Sequence, residues 1–158
     1  MDTGTGLTWE RKLDVSGLRD WRNTYSWYDP DAANTEIDYR GTEDGGSCAG
    51  DGCDTWHFAA DMNDLALCGH TDWRLPTRDE LYSISDLSKS SSPPTASSVA
   101  FPLMQATEYW SGFDYSFEPA SAWTWNFQFG HDRVDWKKEA KHVVLVRGSA
   151  SELTSVQE

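Results

Sequence analysis

The chain has 158 residues, enough for one domain and too few for two comfortable ones. It carries 26 acidic against 13 basic side chains, a net charge of −13 with histidine neutral, and so acidic a surface repels phosphate backbones and argues against nucleic acid as a partner. An apolar share of 38% argues for a folded core, and no run of about 18 apolar residues is present to span a membrane.

No basic stretch followed by an apolar one marks a secretory leader. Residues 1–64 hold 14 acids and 5 bases, so a cation would meet this half first. Nine Trp, six Tyr and six Phe make the chain rich in aromatic residues.

In chain order, Gly6 to Arg11 reads as a short strand with Leu7 and Trp9 on one face. Thr24 to Tyr28 is a second aromatic strand, stopped by Asp29-Pro30. Residues 29–53 read as a long loop rich in Asp, Asn, Gly and Thr, of the kind that is functional or held by a bridge or ion. Residues 54–67 carry helical spacing, with Phe58, Met62 and Leu65 on one face, joined by Ala59 and Ala66, and Asp54 or Thr55 as cap. Gly69 to Pro76 is a connector in which Trp73 is expected to be buried and Arg74 paired to a carboxylate or to carbonyls. Thr77-Arg78-Asp79-Glu80 forms a capping box for a second helix, with Leu81, Ile84 and Leu87 inward. The Ser/Pro run 88–94 is a loop.

The last third is strand-like. Residues 108–111 begin it, and 122–129 alternate, placing Trp123, Trp125, Phe127 and Phe129 on a buried face and Thr124, Asn126 and Gln128 on the other. Gly130-His131-Asp132 is the expected turn, and 143–146 a buried strand. The order strands, two helices, strands predicts an α+β domain over 1–148 with a patternless tail, 149–158.

Three cysteines allow one internal disulfide. A straight helix between Cys53 and Cys68 would hold these two too far apart. The short Ala-Gly-Asp-Gly loop makes Cys48–Cys53 the favoured pair, with Cys48–Cys68 as the alternative. Cys48, Cys53, His57, Cys68 and His70 only brush the spacing of a zinc site. No Gly-x-Ser-x-Gly, His-Glu-x-x-His or phosphate loop occurs, so no catalysis is expected.

Several motifs occur together and in order: Asp2-x-Gly4-Thr5-Gly6-Leu7-Thr8-Trp9-Glu10, Cys48-x₄-Cys53-Asp54-Thr55, Leu67-Cys68-Gly69-x-x-Asp72-Trp73-Arg74-Leu75-Pro76-Thr77-Arg78-x-Glu80-Leu81, Tyr109-Trp110-Ser111, Ala122-Trp123-x-x-x-Phe127 and Val146-Arg147-Gly148. Over residues 2–148 the sequence resembles the C-terminal domain family of the Legionella collagen-like adhesin. The resemblance implies a C-type-lectin-like fold: two helices flanking a mainly antiparallel sheet, with the termini close together. It also implies a non-catalytic extracellular or cell-surface binding module, a trimer, and sulfated polysaccharide as ligand, which the net charge fits poorly. Some members carry a Cys before the final Val-Arg-Gly, which is absent here. The sulfatase-activating enzymes share the broader fold, but their paired-cysteine active site has no match.

In such folds the resemblance places the ligand face on the late strands and their loops. The candidate site is therefore Tyr115, Phe117, Thr124, Asn126, Gln128, His131, Asp132, Arg133, Asp135 and Trp136, with aromatics to stack on a sugar or anchor a protein and polar groups to give direction. Calcium is a further candidate, since Asp29, Asp31, Asn34, Glu36, Asp38, Glu43 and Asp44 supply oxygens in one loop, although no EF-hand or lectin-type Glu-Pro-Asn motif is present.

The expected function is an adhesin-like module binding a glycan or a surface protein. Two other uses are a display protein diversified by a retroelement, with Phe113 to Phe117, Thr124, His131 to Arg133 and Asp135 as exposed variable positions, and a structural subunit of a surface assembly.

Overall fold

The computed structural model describes residues 1–2, 4–32 and 36–149. Strand β1 is Thr8–Trp9, and helices α1, α2 and α3 are Ile37–Arg40, Thr55–Asp64 and Arg78–Ser83. Strands β2, β3, β4 and β5 are Glu108–Asp114, Ser121–Asn126, His131–Trp136 and Val146–Arg147. The α+β class is as the patterning predicts.

Helix α2 is capped by Asp54, whose side chain accepts from the His57 backbone N–H. It is shorter than its spacing suggests, because Ala66 turns left-handed and starts a 3₁₀ turn over Leu67–Gly69. Phe58 and Met62 are buried, but Leu65 is 59% exposed. Helix α3 has the full capping box, Thr77 and Glu80 each bonding the other's backbone N–H. It ends at Ser83, and Leu87 lies beyond it, exposed, in a separate 3₁₀ turn. Helix α1 falls inside the stretch read as loop; its turn closes from Glu36 O to the N–H groups of Tyr39 and Arg40.

Strands β2, β3 and β4 form an antiparallel sheet in that order, and β1 pairs antiparallel with β5, which brings the two ends of the domain together. Thr24 to Tyr28 is not a regular strand: it makes isolated bridges to Ser47, Lys141, Asp54 and Gly41. The turn between β3 and β4 spans 127–130, so His131 and Asp132 are strand residues.

The three-stranded sheet is covered on both sides. Trp110 and Ala122 face a core of Tyr25, Trp27, Phe58, Met62, Trp73, Val143 and Leu145. Tyr109 and Trp125 face another of Leu81, Ala96, Met104, Phe127 and Val144. The single buried face expected for β3 is thus corrected: Thr124 is fully buried and Asn126 is 6% exposed, whereas Phe129 is out in solvent. Tryptophans suit such a core when each indole N–H finds an acceptor. Trp27 donates to Ser111 O (3.0 Å), Trp110 to Tyr25 O (2.7 Å), Trp73 to Leu67 O (3.1 Å) and Trp125 to Ser85 Oγ (3.1 Å). The Cys48–Cys53 disulfide is formed, and Cys68 is free and exposed.

Candidate functional site

Residues paired across antiparallel strands share a face. Ser121 with Trp136, Trp123 with Val134 and Trp125 with Asp132 lie on one side of the sheet. Ala122 with Asp135, Thr124 with Arg133 and Asn126 with His131 lie on the other. The residues expected to form one site are therefore divided between two faces.

On the second face the polar side chains are consumed by one another. Lys141 Nζ, buried 5.5 Å from the Trp110 ring centroid, sits 2.5 Å from Glu108 Oε2 and 2.7 Å from Asp135 Oδ2. Thr124 Oγ1 donates to Glu108 Oε1 at 3.2 Å, and Arg133 Nε is 3.5 Å from the same oxygen. Partial burial opposes ionisation of Asp135, but the Lys141 ammonium and the Trp136 N–H outweigh it and hold the carboxyl below the ordinary range. Asn126 Oδ1 accepts from Gln128 N at 2.7 Å, fixing the turn. Thr124, Asn126 and Asp135 are thus tied into the scaffold, and Thr124 is not available as an exposed variable position. His131 and Gln128 are exposed at the turn, with His131 stacked on Phe129 at 5.9 Å.

The first face is different. Trp123 is partly open, with the Arg78 guanidinium 3.8 Å from its ring centroid and the Tyr115 ring edge-on at 5.3 Å. Phe117 stands 5.6 Å from Tyr115 and is 86% exposed. Trp136 is 48% exposed and Phe113 is 41% exposed. Arg78 Nη1 also reaches Asp132 Oδ2 at 3.1 Å, so helix α3 is pinned to β4 across the Trp123 ring. This ridge of rings holds Tyr115, Phe117, Trp136 and Asp132 of the expected site. It adds Trp123, which alternation assigns to the core, and Arg78, hidden in the sequence inside a capping box. A cation at the first position of a capped helix, in a chain with a Trp-rich strand still to be covered, is the signal that could have found the second.

Away from this face, the Asp72-to-Thr77 connector ties the domain ends together. Arg74 meets both oxygens of Glu80 at 2.7 Å and the Gly148 carbonyl at 2.7 Å, while Asp72 pairs with Arg147 Nε at 2.7 Å. Trp73 is buried beside them. Motif residues distant in sequence converge here on a structural lock. The sequence matches the family of Lcl C-terminal domains over residues 1–147. The chain belongs to that family. No curated protein matches the chain.

Lcl C-terminal domains are non-catalytic, adhesin-type domains of bacterial surface proteins. In this Lcl C-terminal domain no helix among the described residues is long and apolar enough to cross a membrane. In the acidic loop, Asp29 Oδ1 accepts from Asp31 N and Asp44 Oδ1 from Cys53 N, so these carboxylates brace the backbone. Asn34 and the side chain of Asp38 lie outside the described residues. Among those described, no three His, Cys, Asp or Glu side chains are placed to hold a metal ion.

Proposed function

We propose that this domain is an extracellular, non-enzymatic binding module that takes a glycan or a surface protein on the aromatic ridge of Tyr115, Phe117, Trp123 and Trp136. The observation that carries this reading is the exposure of Phe117 and Trp136 beside the Arg78–Trp123 stack, in a chain that buries Trp27, Trp73, Trp110 and Trp125. Exposed rings supply contact area at low entropic cost. Asp132 shares the face of the ridge and would give direction, whereas His131 and Arg133 lie on the opposite face with Thr124, Asn126 and Asp135, and Gln128 lies at the turn. The contacts need no cofactor. A neutral ligand suits the net charge of −13 better than a sulfated one.

The architecture is read as C-type-lectin-like, a single domain over 1–148 with the tail 149–158. Its support is the pair of helices α2 and α3, the antiparallel sheet and the β1–β5 closure. The exposed Phe113, Phe117, His131, Asp132 and Arg133 also suit a retroelement-diversified display surface, or the contact of a homo-oligomer such as a trimer.

A glycan array run with and without calcium, beside a Tyr115→Ala, Trp136→Ala double variant, tests the reading. Binding by the parent that the variant loses supports a carbohydrate site on the ridge, and a calcium requirement brings in the acidic loop. No binding in either condition removes the glycan and leaves a protein partner.

A further inference from the structure

A cleft of about 560 Å³ opens on another part of the molecule, between β1 and the segment 83–101. Its size is that of a small-ligand site, typically about 300–1,000 Å³. The apolar part of its lining includes Trp9, Ile84 and Phe101, with the two aromatic rings edge-to-face at 6.0 Å. The polar lining includes Arg11, Asp86 and Ser97.

These polar groups have capacity to spare. The exposed Arg11 guanidinium makes no ion pair among the described residues, in a chain with twice as many acids as bases. Asp86 uses Oδ1 to accept from Ser88, and Oδ2 has no partner among the described residues. Ser97 Oγ accepts from Ala100 N, so its proton is left to donate. Arg11 and Asp86 line the same cleft yet stand beyond the 4.0 Å of an ion pair. Opposite charges that do not meet leave a gap with donors on one side and an acceptor on the other.

Each hydroxyl group both donates and accepts, so a vicinal diol is the group that can answer a guanidinium and a carboxylate together. The C–H face of a pyranose ring packs on aromatic rings. Asp2, a second carboxylate in the lining, disfavours an anion. We propose that this cleft binds a neutral pyranose residue, its ring against Trp9 and Phe101 and its hydroxyls between Arg11 and Asp86. The site is separate from the aromatic ridge and does not depend on that reading.

The test is a two-dimensional ¹H–¹⁵N NMR titration of the labelled protein with the methyl pyranosides of glucose, galactose and mannose, and separately with sodium glucuronate and cyclohexanol. Saturating shifts of the Trp9, Ile84 and Phe101 resonances with at least one neutral methyl pyranoside are expected. Affinity should fall about tenfold or more in Asp86→Asn and in Arg11→Gln. Both side chains are exposed, and exposed Lys138→Ala, far along the chain, serves as the unchanged control. The proposal is overturned if no methyl pyranoside saturates these resonances by about 50 mM, a range that still detects very weak binding. It is equally overturned if glucuronate or cyclohexanol binds as tightly, or if both variants bind like the parent. Shifts confined to Tyr115 and Trp136 would overturn the cleft while upholding the ridge.

Discussion

Arg74 lays two guanidinium nitrogens, Nη1 and Nη2, each 2.7 Å from one oxygen of Glu80, and Glu80 is buried. The same arginine holds the Gly148 carbonyl, so one side chain joins the start of α3 to the end of β5. Arg74→Ala would leave a buried carboxylate without its cation, which costs about 3–5 kcal/mol. Urea unfolding should show that loss, and Arg74→Lys should recover little of it because an ammonium cannot make the paired contact.

Acidification should weaken this lock. Burial opposes ionisation of Glu80, but the Arg74 pair and the Thr77 N–H overcome it and hold the carboxyl below its ordinary value of 4.5. A carboxyl lowered in the folded state gives stability that is present above the unfolded value and is lost as pH falls through the folded one. Chemical denaturation between pH 6 and pH 3 should therefore show a declining midpoint, with a shallower decline in Glu80→Gln over a pH range of about 3 to 5.

His142 adds a second pH dependence, nearer neutrality. Its partial burial, and the Lys12 charge nearby, push the imidazole below its ordinary 6.5. As pH falls past that value the unfolded chain takes up a proton that the folded one refuses, so stability drops until the folded value is reached. Thermal melts from pH 7.5 to pH 5.5 should show the decline, and His142→Asn should flatten it.

The disulfide predicts a modest and local effect. A bridge closing a loop of five-residue separation, Cys48 to Cys53, contributes about 2 kcal/mol on chain-entropy grounds. Reduction, or Cys48→Ser, should lower the urea midpoint accordingly. Cys68→Ser should leave it unchanged, since that thiol is exposed and unbridged.

On the ridge, stability and binding should separate. Phe117 is 86% exposed, so Phe117→Ser should shift stability by less than about 0.5 kcal/mol. If the ridge binds ligand, retention on the array should fall sharply in the same variant. Arg78→Ala should weaken binding less, and should alter the near-ultraviolet circular dichroism by freeing the face of Trp123.

Features that act within a few residues were legible in the chain. The Asp54 cap, the Thr77–Glu80 box, the pairing of Arg74 with a carboxylate and the Cys48–Cys53 bridge each depend on groups close in sequence. Motif order carried the family across the whole domain. What needed the fold was the environment of β3. Alternation reports that successive side chains point to opposite sides, but not what lies over each side. Here the 141–145 segment and the 24–27 bridges cover one face while α3 and the 95–104 segment cover the other. That covering buries Thr124 and Asn126, commits Asp135 to Lys141, and leaves the distal Trp123 and Trp136 in reach of solvent. The contact of Arg78 with Trp123, and the placing of Arg11 and Asp86 in the lining of one cleft, bring together residues 45 and 75 positions apart. Packing of distant segments decides such meetings, and no local periodicity encodes them.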